Sequence, residues 1–196
     1  GSVNPAGSVN VAGRVYLAGS ARMVMGDGSG TDILAIPTGG VFEMNGGARL
    51  EMRTTGTAAQ ASIAGSFITT MSGSTRPTVT SANGTNGFLF AASGSVDVGG
   101  MHFSRADDNG FDITSGATLS NLNLINFTNG SPNAGARHMR LVRSANGSFQ
   151  AEGCTFDNST SPPFYATLDD GAFSFTLFMS NATGAGAALN DSNIGS

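Results

Sequence analysis

The chain has 196 residues, 29 of them Gly, with only 9 basic and 13 acidic side chains. Average usage is about 7% Gly and about 25% charged, so Gly is roughly doubled and charge roughly halved. A net charge of −4 with 39% apolar residues excludes a chain expanded by its own charge. A sequence pI near 4.9, with no basic cluster denser than Arg137, Arg140 and Arg143, excludes nucleic-acid binding by a basic face. No apolar run is long enough for a membrane-spanning helix.

Ser, Thr and Asn together outnumber the charged residues by more than two to one, every basic residue is Arg, and Trp is absent. This makeup reads as an extracellular or cell-surface protein, and the start at Gly1-Ser2 reads as a processed or tagged product. Cys154 stands alone, so no internal disulfide forms and metal sites built on paired cysteines are excluded. No metal or other cofactor is expected.

Helix signals are nearly absent, because Gly or Ser/Thr/Asn pairs interrupt almost every ten-residue window. Short apolar-x-apolar runs recur instead, beginning with Val15-Tyr16-Leu17 and Met23-Val24-Met25. Phe42-Glu43-Met44, Leu50-Glu51-Met52, Phe88-Leu89-Phe90 and Val96-Asp97-Val98 follow. The later ones are Met101-His102-Phe103, Leu122-Asn123-Leu124 and Met139-Arg140-Leu141. Each has the period of a half-buried strand of three to five residues.

The runs repeat. Residues 13–25 and 40–52 align at an offset of 27, matching Val15 to Phe42, Leu17 to Met44, Met23 to Leu50 and Met25 to Met52. The same offset matches Ala21 to Ala48 and Arg22 to Arg49. Phe67, Phe88, Phe111, Met139 and Ala166 open later units. A second series aligns Met101, Leu122 and Cys154, and with them Phe103, Leu124 and Phe156. Units of this size, with two or three very short strands and Gly/Asn/Ser turns, predict an all-β solenoid of about seven coils. At about 4.8 Å per coil this is a rod roughly 30–35 Å long. Residues 1–196 read as one domain, with external loops near 53–61, 72–85 and 129–137. The core stack is Val15, Leu17, Met23, Met25, Phe42, Met44, Leu50, Met52, Phe88, Phe90, Met101, Phe103, Leu122, Leu124, Cys154 and Phe156. All the methionines except Met71 fall at inward positions, where a flexible thioether fills gaps between coils.

The tract Leu119-Ser-Asn-Leu-Asn-Leu-Ile-Asn-Phe127 resembles the coils of the right-handed parallel β-helix superfamily of pectate lyases, phage tailspikes and autotransporter passengers. Cys154-Thr-Phe-Asp-Asn-Ser-Thr160 and Phe178-Met-Ser-Asn-Ala182 resemble the Phe-x-x-Asn coils of polymorphic outer-membrane proteins. The resemblance implies a right-handed β-helix. One such fold hosts many functions, so it assigns none.

Four residues form a candidate catalytic set. Asp107 and Asp108 follow the strand ending at Phe103, Asp112 lies just beyond, and His138 opens a later coil. Stacked loops bring such groups together, and two carboxyls a few Å apart suit glycoside hydrolysis. The set is distantly similar to that of polygalacturonases, but their Gly-His-Gly, Asn-Thr-Asp and Arg-x-Lys motifs are missing. Asp-Asp-Asn-Gly is also ordinary turn chemistry. Asp169-Asp170-Gly171 suggests Ca²⁺, without the Gly-Gly-x-Gly-x-Asp repeat that would complete a site, and also reads as a turn. Arg137, Arg140 and Arg143 on one face suit an acidic glycan or carboxylate, or simply a solvated edge. Asn-x-Ser/Thr triplets at Asn83, Asn126, Asn129, Asn146, Asn158, Asn181 and Asn190 follow from composition.

No amphipathic helix caps residues 1–12, and the tail from Gly184 to Ser196 is a poor cap. Open ends imply a longer parent solenoid, or end-to-end self-association into a filament. The expectation is an extracellular structural or adhesive element, not an enzyme. The alternatives are a carbohydrate-active β-helix enzyme and a glycan-binding module.

Overall fold

The computed structural model describes residues 1–5, 7–27, 30–54, 58–85, 87–156, 164–169, 174–184 and 191–194. Among the described residues there is no helix, and the chain winds as strand, corner, strand, corner. The first turn is β1 (Ser2–Val3), β2 (Val9–Asn10) and β3 (Arg14–Ala18); the second is β4 (Arg22–Met25), β5 (Ile33–Ile36) and β6 (Val41–Asn45). The third is β7 (Arg49–Met52), β8 (Gln60–Ile63) and β9 (Ser66–Thr70); the fourth is β10 (Thr78–Ser81), β11 (Phe88–Ala92) and β12 (Ser95–Val98). The fifth is β13 (Met101–Ser104), β14 (Ala106–Ile113) and β15 (Thr118–Leu122); the sixth is β16 (Ile125–Thr128), β17 (Arg137–Val142) and β18 (Gly147–Glu152). Beyond it lie β19 (Thr155–Phe156), β20 (Phe164–Asp169), β21 (Phe175–Ser180) and β22 (Asp191–Ile194).

Every third strand pairs with the next, in parallel. One sheet runs β1-β4-β7-β10-β13-β16-β19, a second β2-β5-β8-β11-β14-β17-β20-β22, and a third β3-β6-β9-β12-β15; β18 pairs with β21 alone. The protein is a parallel β-solenoid of about six turns, close to the expected seven. The 27-residue repeat is literal: Val15 pairs with Phe42, Leu17 with Met44, Met23 with Leu50 and Met25 with Met52.

Stacking forces like on like, and the inner columns are apolar for most of their length. Phe42, Phe67, Phe90, Phe111, Phe103, Phe127 and Phe156 form one chain of ring contacts, from 6.4 Å between Phe42 and Phe67 to 5.1 Å between Phe127 and Phe156. Offset and edge contacts of this kind add to area burial. Thr69 interrupts a column that also holds Leu17, Met44 and Val98, and its hydroxyl donates to the Gly100 carbonyl at 3.0 Å. Met23, Met25, Met44, Met52, Met101 and Met139 are buried, while Val15 and Met179 pack partly buried against the core. Outside, Arg22 stacks on Arg49, a like-charge pair whose repulsion Glu51 offsets by bonding both guanidinium groups, with Arg49 Nε at 2.8 Å. Burial pushes the Glu51 carboxyl up, yet its hydrogen bonds and charge contacts with Arg22 and Arg49 hold it below the usual range.

Three expectations are corrected. Leu124 is 39% exposed, with φ at 56°, so it is not in the core stack. Leu122 ends a strand of the third sheet, Ile125 begins one of the first, and Leu124 is the corner between them. The true columns are therefore Met101-Ile125 continuing to Cys154, and Phe103-Phe127-Phe156. Second, the series opened by Phe67 and Phe88 slips between sheets. Phe67 pairs with Val96 in the third sheet, whereas Phe111, Met139 and Ala166 stack in the second beneath Phe90. Third, the loop expected over 72–85 contains β10, with Val79 fully buried between Leu50 and Phe103. The loop expected over 53–61 ends where β8 begins at Gln60, and that over 129–137 where β17 begins at Arg137.

At the corner between the second and third sheets, Gly40, Gly65 and Gly94 stack. A Cβ on Gly94 would run into the carbonyl oxygens of Gly65 and Ala64, and one on Gly65 into those of Gly40 and Pro37. Neither glycine has a positive φ, so close approach alone excludes a side chain. Gly94→Ala is expected to destabilise by at least the roughly 1–3 kcal/mol typical of overpacking. Gly13→Ala, where a Cβ meets nothing within 4 Å, leaves stability unchanged. Urea unfolding of both variants checks this, and equal midpoints would contradict the glycine ladder.

Candidate functional site

The carboxylates of interest sit on a bulge. Phe88 pairs with Ala106 but Phe90 pairs with Phe111, so four residues of β14, Asp107 to Gly110, stand opposite the single Leu89 and bulge from the second sheet. Gly110 closes the bulge at φ 64°, and its backbone lies so near that of His138 that a Cβ would strike the His138 carbonyl. Asn109 N–H donates to Asp107 Oδ1 at 3.0 Å, an Asx turn. The bulge is built as the turn chemistry of Asp-Asp-Asn-Gly implies.

The loop of the next turn completes the site. Ser131 Oγ donates to Asp108 Oδ1 at 2.5 Å, and Asn133 Nδ2 donates to Oδ1 and Oδ2 at 3.0 and 3.3 Å. Asp107, Asp108, Asn109, Ser131, Asn133 and Gly87 surround an open pocket of about 420 Å³. Burial pushes the Asp107 carboxyl up to about 6; hydrogen bonds from the Asn109 and Gly110 backbone oppose this, while the neighbouring Asp108 and Asp112 add to it. Ser131 and Asn133 were not singled out in the sequence. Their only signal is a polar Ser-Pro-Asn loop one coil beyond the aspartates.

The other two members of the candidate set lie elsewhere. His138 is buried on β17, its ring 5.6 Å from Phe127 and 5.9 Å from Phe156. It shares with Asp107 only a cavity of about 10 Å³, room for about one water and not for a sugar ring. Asp112 points outward and pairs with Arg140 at 3.5 Å. Its carboxyl is raised by burial, with Arg140 and Arg137 opposing.

The three arginines serve as ties between turns. Arg140 also reaches Asp169 at 3.3 Å, so it bridges the strands above and below its own. Arg137 donates to the Gly135 carbonyl at 2.6 Å and to Thr167 Oγ1 at 3.3 Å. Arg143 donates to the Ala117 carbonyl at 2.9 Å and lies over the Phe175 ring at 5.0 Å. Burial lowers the Arg143 pKa. Of the Asp169-Asp170-Gly171 tract only Asp169 lies within the described residues, where its partner is Arg140. Among the described residues no three His, Cys, Asp or Glu side chains are grouped to hold a metal. Cys154 is buried, its Sγ–H directed at the Leu122 carbonyl at 3.4 Å, and burial pushes its thiol up.

Compared with known proteins, the chain matches no family model, no curated protein and no solved structure.

The raised Asp107 pKa has a definite thermodynamic sign. From about pH 4 to about pH 6 the folded protein holds this proton while the unfolded chain releases it, so stability falls as pH rises through that window. Asp107→Asn removes this contribution. Urea unfolding across the window is expected to show the wild type losing stability relative to the variant as pH rises. A constant difference between them would contradict the assignment.

Proposed function

We propose that this chain is a structural or adhesive element of an extracellular surface, a right-handed β-helix that assembles end to end into a filament. The observation that carries this reading is where the charged side chains go. Arg14–Glu43, Arg22–Glu51, Arg140–Asp112 and Arg140–Asp169 each join one turn to the next, and Arg49 shares Glu51 with Arg22. These charges tie neighbouring turns to each other and are not gathered into a reactive centre. The handedness and the extracellular setting draw on the resemblance to β-helix passengers and on the composition.

Assembly draws on the strand edges. Among the described residues β1, β2 and β3 are each the outermost strand of their sheet, and Val3 is 59% exposed in register with Met23. A further turn, whether from a second copy or from a longer parent solenoid, pairs there by the register the other turns already use.

A second reading has its own observation. The pocket beside Asp107 and Asp108 pairs a carboxyl that keeps its proton to about pH 6 with a carboxylate fixed by Ser131 and Asn133. A proton donor beside a fixed carboxylate is the minimum for glycoside hydrolysis. One comparison separates the readings. The purified protein is expected to form filaments by electron microscopy and to release no reducing ends from acidic polysaccharides. Dispersed monomers at high concentration, with sugar release abolished by Asp108→Asn, would overturn the structural reading in favour of the enzyme.

A further inference from the structure

The structure assigns a second site, on the opposite side of the third sheet from the aspartate bulge in chain order: a cleft for a neutral sugar ring at the corner between the third and first sheets. It rests on other observations than end-to-end assembly and belongs to the unassembled end, because Tyr16 stands on β3, the outermost strand of the third sheet. In the first two turns this corner is three residues, Gly19-Ser20-Ala21 after β3 and Gly46-Gly47-Ala48 after β6. In the third turn it lengthens to residues 71–77. There Ser72 and Thr75 exchange backbone hydrogen bonds at 3.0 Å each way, closing a tight turn around Gly73 at φ 58°. The short corners make a floor and the long one makes a wall. The space between them, about 550 Å³, opens beside Tyr16.

The floor depends on glycine. Gly19 and Gly46 have φ of 59° and 55°, which side-chain-bearing residues rarely adopt. A Cβ on Gly46 would press on Ser72 Cβ at 3.1 Å, and one on Gly47 on the Gly19 carbonyl at 3.2 Å. Backbone therefore lines the bottom of the cleft.

The ring is the second component. Tyr16 points outward from β3 and is 51% exposed, in a chain that buries most of its large apolar side chains. The Arg14 guanidinium lies over one face of it at 6.0 Å and is itself anchored to Glu43, the register partner of Tyr16. The ring thus lies beside a charged pair and stays half exposed, offering an apolar body with a polar tip.

The third component is polar. The side chains of Ser20, Asn45, Ser72 and Thr75 line the cleft, the three hydroxyls exposed and the amide half-buried, so a ligand's hydroxyls can replace water on them. Three hydroxyls and an amide, each able to donate and accept, match the alternating donors and acceptors of a sugar's hydroxyls. An aromatic face matches the C–H face of a pyranose. None of the lining residues carries a charge, and the Arg14 guanidinium beside Tyr16 is already paired with Glu43, so the ligand is a neutral hexose unit of a glycan and not an acidic one.

The test uses the protein's own spectroscopy. The chain has no Trp and two Tyr, so Tyr165→Phe leaves Tyr16 as the sole tyrosine fluorophore. Neutral tetrasaccharides of glucose, mannose and galactose are titrated into this variant by fluorescence, and into the wild type by calorimetry. At least one is expected to saturate, at a dissociation constant of about millimolar or tighter. Tyr16→Ala is expected to weaken it at least tenfold and Asn45→Ala severalfold, while Tyr16→Phe, which keeps the ring, binds nearly as the wild type. Tyr16 is exposed and Asn45 half-buried, and unchanged thermal unfolding confirms that each variant is folded. Absence of saturation with every tetrasaccharide would overturn the assignment. So would binding that survives Tyr16→Ala, which would place the sugar elsewhere, and so would binding confined to a uronic-acid oligosaccharide used as the acidic control.

Discussion

The register of the parallel ladders governs everything else in this molecule. Backbone hydrogen bonds hold successive turns at one strand spacing, about 4.8 Å, so whatever occupies a position sits directly on its equivalents one turn away. Where the equivalents are Met23, Leu50, Val79 and Phe103, repetition builds one apolar column of a core that the other sheets complete, as where Phe103 meets Phe90 and Phe111. Where they are Arg22 and Arg49, it creates repulsion, and Glu51 resolves it by sitting between them. At the corner of Gly40, Gly65 and Gly94 it brings backbones too close for a Cβ. Apolar columns, charge ties and glycine ladder are three answers to one geometric demand.

The fold was legible where the demand is met by side chains of one kind. The 27-residue offset of residues 13–25 and 40–52 reports real stacking, because both corners between β3 and β4 and between β6 and β7 have three residues. Legibility failed where a corner mimics a strand. Leu122-Asn123-Leu124 has strand periodicity, yet the chain turns at Leu124, which takes the left-handed conformation that Gly153 has one turn on. It failed again at β10, where Thr78, Thr80 and Ser81 resemble a loop in composition and only Val79 reveals the core. A solenoid tolerates this, since neighbours on both sides fix the strand regardless of its own apolar content.

The site was less legible, for a related reason. Asp107 and Asp108 were visible as a pair, but what distinguishes them is supplied across a turn boundary, by Ser131 and Asn133. His138 looked like their partner because it opens a later coil of the same stack, and strand alternation turned it inward onto Phe127 and Phe156. Tyr16 lies in the clearest strand pattern of the chain, Val15-Tyr16-Leu17, where only its outward parity sets it apart from the core. Its significance comes from the corner at residues 71–77, more than fifty residues away in sequence.

The most direct measurement of the stacking is a chemical one. Ser62 on β8 and Ala91 on β11 are register partners, 29 residues apart in sequence. Adjacent strands place such Cα atoms within the roughly 4.4–6.8 Å a disulfide spans, and buried Cys154 does not compete. In the Ser62→Cys/Ala91→Cys double variant, mild oxidation is expected to give a quantitative intramolecular disulfide in the folded protein. Thiols that stay free, or that cross-link only between molecules, would contradict the stacked register.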